Sequence, residues 1–427
     1  MVNYIALLIA SLVLVWSVAF WALRIRDAVQ NYYKVPVIDP EETVTLRDGA
    51  PFISVIVPAH NEQGHIKGCL ESVLAQDYPH FELILVDDRS EDRTASIARE
   101  LCKEGDKFKI ISLKQRREGW TGKCNALDVG VRHAKGSWLA FLDADSRLQP
   151  SALRQCYHTA VACSAGMITL SPRLILKGFW EKALQPVFAG MSCILYPLYK
   201  VNDPTSPVAS ANGMFYLIDR NAYDRIGGHH DVRDLAVEDI GIGKRVKAAG
   251  MGLLFANGRE VLQTRMYTGL SDILVGWTRI LSASMNYEVG AVLRRLAEHF
   301  LISLPVVAVA LWVYVPFAKE TWPHTWFILP AVQLLEVAVV SHLYYLQVGV
   351  PRRYAGFLFI GNLMLVCVLA LIVKKVLFRD ALQWRGTTYT ANRYMPRNLD
   401  PVPADSRNTR ASLWSGRSYA CTPQGRK

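Results

Sequence analysis

Two pairs of carboxylates in this chain need something positive beside them. Asp143 and Asp145 stand one residue apart, directly after the β-rich run Trp138–Leu142. Like charges crowded at a strand end repel one another, and a divalent cation offsets that repulsion. Mg2+ or Mn2+ favours carboxylate oxygens shared with substrate phosphates; a plain acidic turn is the alternative reading. Glu238 and Asp239 form the second pair, at the start of the helical stretch Ile240–Ala249. There they either favour the helix dipole or supply a general base. Gly119-Trp120-Thr121-Gly122-Lys123 opens another helical stretch, Cys124–Ala134. Amides at a helix start with a lysine beside them make a seat for phosphate. The spacing is not that of a P-loop, because a cysteine follows the lysine, and a solvated Lys123 is the plain alternative.

The elements that must position these residues read as α/β. Short β-rich runs recur at Phe52–Val57, Phe81–Val86, Phe108–Leu113, Trp138–Leu142, Gly166–Leu170 and Met214–Ile218. The early runs alternate with helical patterns, as at Ile66, Leu70, Val73 and Leu74, with Pro79 ending that helix. Strand–helix alternation implies a mostly parallel sheet whose ligands lie at the carboxyl ends of its strands. Two polar clusters fall at such ends, Pro58-Ala59-His60-Asn61-Glu62 and Asp87-Asp88-Arg89-Ser90. Ser90 to Thr94 also has the composition of a helix start, so part of that cluster serves capping.

The 427 residues are 51% hydrophobic and 20% charged, with mean hydropathy +0.15. That is too apolar for disorder. Of the net charge of +11, +8 lies from Lys374 onward, so no folded basic face for nucleic acid is predicted. The eight cysteines form no CxxC pair, which argues against a zinc site or a disulfide scaffold and for reduced thiols. Tyr4–Leu23 is an uncharged run long enough to span a bilayer, followed by Arg24, Arg26 and Lys34 on the cytosolic side. Further apolar segments run over Phe300–Ala318, Trp326–Leu346 and Ala355–Val373. Glu336 within the second is either a functional carboxylate or one bonded to its neighbours. Arg352 and Arg353 argue for a cytosolic loop, while Lys374 and Lys375 then strain the same charge rule. The expected organisation is an anchor at 1–26, a linker at 27–51 and a cytosolic catalytic domain at 52–290. Three spans follow over 299–375, then a basic tail at 376–427.

In this order the clusters at 58–62, 86–90, 119–123, 143–145 and 238–239 resemble the family 2 glycosyltransferases. The likeness is greatest to their membrane-anchored, lipid-glycosylating branch, which includes ceramide glucosyltransferases and carotenoid- or hopanoid-associated transferases. Arg265-Met266-Tyr267, Gly276-Trp277-Thr278-Arg279 and Trp384-Arg385-Gly386 are similar to that branch as well. The resemblance implies a GT-A type sheet with helices on both faces. Pro58, Glu62, Asp87, Lys123 and Asp143 would hold a nucleotide-sugar, a UDP-hexose, with Asp143 and Asp145 engaging the metal. Asp239 would be the base, with Glu238 beside it. Trp277 and Arg279 would line the acceptor site, or Trp277 would be an interfacial anchor. The implied reaction is inverting transfer of one sugar to a hydroxyl or carboxyl of a membrane lipid by an integral membrane protein of the cell membrane. No clean Gln-x-x-Arg-Trp motif follows the acidic pair, which favours single transfer over the alternative, a processive polysaccharide synthase.

Overall fold

The structure, a computed structural model, describes residues 2–44, 49–102, 107–300, 325–348, 351–378, 382–384 and 387–389. They form two compact units. In the α/β unit the segments Lys34–Leu176 and Leu198–Thr268 contain ten strands among the described residues. These are β1 Ile53–Ala59, β2 Phe81–Asp88, β3 Phe108–Leu113, β4 Trp138–Leu142, β5 Ser146–Leu148, β6 Met167–Ser171, β7 Arg173–Leu174, β8 Phe215–Asp219, β9 Leu253–Asn257 and β10 Leu262–Thr264. Seven of them make one sheet in the order β3-β2-β1-β4-β8-β6-β9, while β5, β10 and β7 make a smaller one.

The central strands are hydrophobic almost without interruption, as strands buried on both faces must be. Every residue of β2 is buried, and so are six of the seven in β1. Pairings β1–β2, β1–β4, β2–β3 and β6–β9 are parallel, and β8 runs antiparallel to both β4 and β6. The six runs read from sequence all lie on strands of the large sheet. Strand β9 and the small second sheet were not among them. Their pieces are short, and β9 ends in a polar residue, so neither alternation nor a long apolar run marks them.

Helices α2 Ile66–Leu74, α3 Thr94–Leu101, α4 Gly122–His133 and α5 Ala152–Ala162 follow β1, β2, β3 and β5 in turn. Helix α4 packs on β1 and β2 through Gly130, where a β-carbon would fall 2.5 Å from Ile56 Cγ2. Between α4 and β4 the chain turns back at Lys135-Gly136, and the carboxylate of Glu82 fastens this turn. Its Oε1 accepts from Ser54 Oγ and from the Lys135 amide, both at 2.6 Å, and Ser54 Oγ in turn accepts from the Gly136 amide at 2.8 Å.

The helical unit comprises Met1–Tyr33, Lys177–Pro197 and Gly269–Phe378. Its first two helices are α1 Val2–Lys34, whose last residue passes into the α/β unit, and α6 Phe179–Leu195. Between α6 and the next helix of this unit, the α/β unit contributes α7 Leu198–Val201, α8 Arg220–Arg225 and α9 Glu238–Ala248. The helical unit continues with α10 Leu270–Ser284, a helical stretch over 289–300, α11 Thr325–Val348 and α12 Leu358–Leu377. Trp21, Ala28, Val337 and Val340 pack α1 against α11, and Ser17 and Gln333 are hydrogen-bonded between the same helices. Among the described residues one segment, Ile360–Leu377 of α12, is long and apolar enough to cross a membrane. The expected span 4–23 lies on α1 and 326–346 on α11, and both fall partly outside the residues whose side chains are described. The span expected at 300–318 and the tail beyond 389 lie outside the described residues almost entirely.

One reading from the cysteines is corrected. Cys69, Cys102, Cys124, Cys156, Cys193 and Cys367 are free thiols, but Cys163 is disulfide-bonded. Cysteine spacing alone does not reveal which thiols pair.

The turn before β4 offers a test of this packing. A β-carbon on Gly136 would sit 2.5 Å from the Ser54 nitrogen and 2.7 Å from the Trp138 oxygen, both backbone atoms that cannot swing aside. Gly136→Ala should therefore cost about 1–3 kcal/mol, the range for overpacking. Urea unfolding of the purified protein reads this as a lower midpoint, and an unchanged midpoint would contradict the packing.

Candidate functional site

The polar ends of four strands and two helices meet at the carboxyl edge of the large sheet. Strand β1 leads into Asn61, held at a φ of 56°, and β2 leads into Arg89 at a φ of 60°. The two loops are laced together. The Asn61 amide donates to Ser90 Oγ at 3.0 Å, the Glu91 amide to Asn61 Oδ1 at 2.8 Å, and the Gln63 amide to Asp92 Oδ2 at 3.0 Å. Glu62 is buried and receives its position from its own amide, which donates to Thr94 Oγ1 at 2.7 Å. Asp87 is buried at the end of β2 and accepts from the Ser90 amide at 3.2 Å. Pro58, which has no amide to donate, sits half-buried near the end of β1, opposite Val86.

Thr121 caps α4 by accepting from the Cys124 amide at 3.2 Å, and its own amide donates to the Arg233 carbonyl at 2.7 Å. Arg117 lies over the Trp120 ring at 3.6 Å while donating to Asn125 at 2.6 Å and Asp128 at 2.8 Å. The loop that presents Lys123 is thus held from both ends. The helix begins two residues earlier than its apolar pattern suggests, which puts Lys123 in the first turn.

Lys123 is where the site converges. Its Nζ lies 2.6 Å from Asp143 Oδ1 and 2.8 Å from Glu238 Oε1. Asp143 stands just past β4, and Glu238 begins α9, so one ammonium joins a strand end to a helix start. Asp239 is fixed through both carboxylate oxygens: Oδ2 accepts from the Gly213 amide at 2.6 Å and Oδ1 from the Ile240 amide at 2.9 Å. Gly213 reaches this position because β8 runs antiparallel beside β4, with Phe215 opposite Leu142 and the Asp143 amide donating to the Met214 carbonyl at 3.2 Å. Behind β4, Phe141 stacks on Tyr216 at 4.7 Å. The buried His229 sits between the hydroxyls of Tyr216 and Tyr223, at 2.9 and 2.7 Å. Burial pushes the His229 imidazole down to about 4, so it is neutral at physiological pH.

The electrostatics follow from this crowding. Burial, then the Glu238 charge, pushes the Asp239 carboxyl up to about 7. Burial, with Asp145 adding to it, pushes Asp143 up to about 6 against the pull of Lys123. For Glu238 burial opposes ionisation, but Lys123 prevails and its carboxyl falls below the usual range. Burial also works against the charge on Lys123, yet Asp143, Glu238 and Asp239 together keep it protonated. One acid of the second pair is therefore held ionised, and its neighbour is poised to exchange a proton near neutrality.

Asp145 approaches Thr264 Oγ1 and Ser146 Oγ through its Oδ1, both at 3.4 Å. Among the described residues no group of three or more His, Cys, Asp or Glu side chains comes together as a metal site. Asp143 and Asp145 supply two carboxylates next to a lysine that would face phosphate. That donor set suits a cation completed by substrate oxygens rather than one caged by protein. Trp277 and Arg279 belong to α10 of the helical unit, where Trp277 is buried, tilted against Phe188 at 5.4 Å, and donates to Gln185 Oε1 at 3.1 Å. Two contributors were not assigned from sequence, Gly213 and Asp88. Asn212-Gly213 just ahead of an apolar run was the available sign of a tight approach. Asp88 lies close under α4 because Gly122 has no side chain: a β-carbon there would meet Asp88 Oδ2 at 2.5 Å.

Comparison with known proteins gives this geometry a context. Residues 54–227 match the model of glycosyl transferase family 2. A 4,4'-diaponeurosporenoate glycosyltransferase of Staphylococcus aureus (strain N315) is 26% identical over 245 residues, which are 56% of this chain and 64% of that relative. The chain thus spans a little under two thirds of the length of the curated relative it matches. Among solved structures, the mannosyltransferase PcManGT from Pyrobaculum calidifontis, in complex with GDP-Man and Mn2+, aligns with TM-score 0.49 and 17% identity, over 86% of this chain and 99% of its own. Staphylococcus aureus TarS 1-349 in complex with UDP-GlcNAc aligns with TM-score 0.36 and 12% identity, over 79% of this chain and 95% of its own.

The convergence on Gly213 makes a prediction. A β-carbon there would lie 2.9 Å from Lys123 Nζ and 3.0 Å from Asp239 Oδ2. Gly213→Ala should leave the circular dichroism spectrum and melting temperature near wild type while lowering turnover about 100-fold, the cost of a misplacement of about 1 Å in an active site. Wild-type turnover in this variant would show that Gly213 does not position the acids.

Proposed function

We propose, since residues 54–227 match the model of glycosyl transferase family 2, that the protein is a membrane-bound hexosyltransferase. In this reading it moves a single sugar from a nucleotide-sugar, a UDP-hexose, to a hydroxyl or carboxyl of a membrane lipid, with inversion. The observation that carries the proposal is the bridge of Lys123 between Asp143 and Glu238, with Asp239 fixed beside it. It gathers in one place a lysine that would face phosphate, an acid that would face a metal and a carboxyl of raised pKa that would serve as base.

Pro58, Glu62 and Asp87 line the strand ends where the nucleoside would rest, as ligands of parallel sheets do. Lys123 would exchange part of its contact with Asp143 for the donor diphosphate, neutralising charge as the nucleoside diphosphate leaves. Asp143 and Asp145 would hold a divalent cation, Mg2+ or Mn2+, whose chemistry when bound is stabilisation of that leaving group. Asp239 accepts the acceptor's proton as its oxygen attacks the anomeric carbon from the face opposite the departing diphosphate. The amides of Gly213 and Ile240 keep the Asp239 carboxylate oriented, and ionised Glu238 keeps its basicity high. Direct displacement of this kind forms no covalent sugar–enzyme intermediate. A carboxylic acid acceptor that arrives ionised needs no base, so its transfer would depend less on Asp239 than transfer to an alcohol.

The lipid acceptor is supported by the relative named for 4,4'-diaponeurosporenoate and by the apolar faces of the helical unit. Leu8, Leu12, Val15, Trp16 and Leu23 are exposed on α1, Ile328, Val332, Leu335 and Val339 on α11, and Ile360, Leu363 and Leu371 on α12. Exposed apolar stripes on three helices would be an aggregation liability in water, whereas lipid covers them at no cost. Multiple spans at the cell membrane with a cytosolic catalytic domain complete this reading. Trp277 and Arg279 are kept in it as acceptor-site candidates.

The base assignment fixes a pH profile. A base must be deprotonated to act, so with Asp239 near 7, kcat/KM toward an alcohol acceptor should rise through neutrality and level off above it. Asp239→Asn should lower kcat by about 10²–10⁴-fold, the usual worth of general base catalysis. Wild-type activity in that variant, or a profile flat between pH 5 and about 8, the span over which such a base titrates, would remove Asp239 from the role.

A further inference from the structure

The helical unit carries a cluster that the transfer chemistry does not use. Residues Arg352–Phe357 make a turn of 3-10 helix immediately ahead of α12, and the first turn of α6 packs against it. The Phe179 ring meets Phe357 edge-on at 5.3 Å, and Phe357 stacks with Tyr354 at 6.4 Å. Two cations then share the Tyr354 ring: Lys182 Nζ lies 5.4 Å from its centroid and the Arg353 guanidinium 5.2 Å. Among the described residues neither Lys182 nor Arg353 is ion-paired with a carboxylate. Glu181, the neighbouring acid, is buried and turned away, accepting the Lys177 amide at 3.0 Å and the Gly178 amide at 2.9 Å. Beside the two cations, Phe179 and Trp180 are 50% and 36% exposed.

The ring offsets only part of the charge of each cation, and among the described residues no carboxylate neutralises either one. An anion beside the ring would complete the cluster. The position says which anion. The apolar segment Ile360–Leu377 begins three residues after Phe357, so the cluster stands where such a helix would enter the headgroup layer. Aromatic residues with a polar neighbour gather at that level in membrane proteins, and basic residues there attract anionic lipid. A soluble acidic partner would not account for exposed Phe179 and Trp180 beside a helix of this length and apolarity.

We propose that Lys182, Arg353 and the Tyr354 ring form a seat for the phosphate of an anionic membrane lipid, with Phe179 and Trp180 at the border of its acyl chains. This inference rests on the membrane reading given above and concerns neither donor nor acceptor. The seat would hold the first turns of α6 and α12 at the bilayer surface.

Tryptophan quenching by brominated lipids tests it on the full-length protein in liposomes. The difference between wild type and Trp180→Phe isolates the Trp180 signal. Brominated phosphatidylglycerol should quench that signal at lower mole fraction than brominated phosphatidylcholine. Lys182→Gln with Arg353→Gln should remove the preference, by about fivefold in relative association for each cation. Equal quenching by the two lipids, or a preference that survives the double substitution, would overturn the seat while leaving the membrane reading in place. No quenching of Trp180 by either lipid would overturn both.

Discussion

A single ammonium group holds this site together. Four carboxylates, those of Asp143, Asp145, Glu238 and Asp239, come from a strand end and a helix start that are nearly a hundred residues apart in sequence. Brought together without compensation they would repel, and burial would drive them to take up protons. Lys123 stands between the two pairs and bonds to one acid of each. The rest of the α/β unit can be understood as what that arrangement requires. Helix α4 must start at the right height, β4 must stop at Leu142, and β8 must run antiparallel so that Gly213 meets Asp239.

The same crowding gives the acids unequal chemistry. Glu238 stays charged because Lys123 touches it, and its charge raises Asp239. Asp143 is pulled down by Lys123 and up by burial and Asp145. Two pairs of similar residues therefore divide into a carboxylate held ionised, a carboxyl that titrates near neutrality and a pair whose donor set suits a cation. This is the pattern expected where neighbouring titratable groups take different parts in one reaction.

Much of this was legible in the sequence, for identifiable reasons. Strands β1, β2 and β4 are strongly apolar and end in polar clusters, so both the sheet and its polar edge could be read from composition. Asp143–Asp145 and Glu238–Asp239 stood out as like-charge pairs with no evident local partner. The bond from Lys123 to both pairs was not legible, because it depends on how α4 and α9 approach across the sheet. Gly213 escaped assignment because its contribution is an amide and an absent side chain, neither of which has a residue type to search for. Strand β9 was missed since five residues beside an irregular loop carry too little pattern. Cys163 was read as a thiol because nothing in its surroundings in sequence points to a partner.

The claim at the centre is that Lys123 makes these acids a binding site for a metal-bound diphosphate instead of a cluster of mutual repulsion. Calorimetric titration of UDP in the presence of Mn2+ tests it most directly, comparing wild type with Lys123→Met. The account predicts measurable binding in the wild type and its loss in a variant that still melts cooperatively. Equal affinity in the two proteins would contradict it.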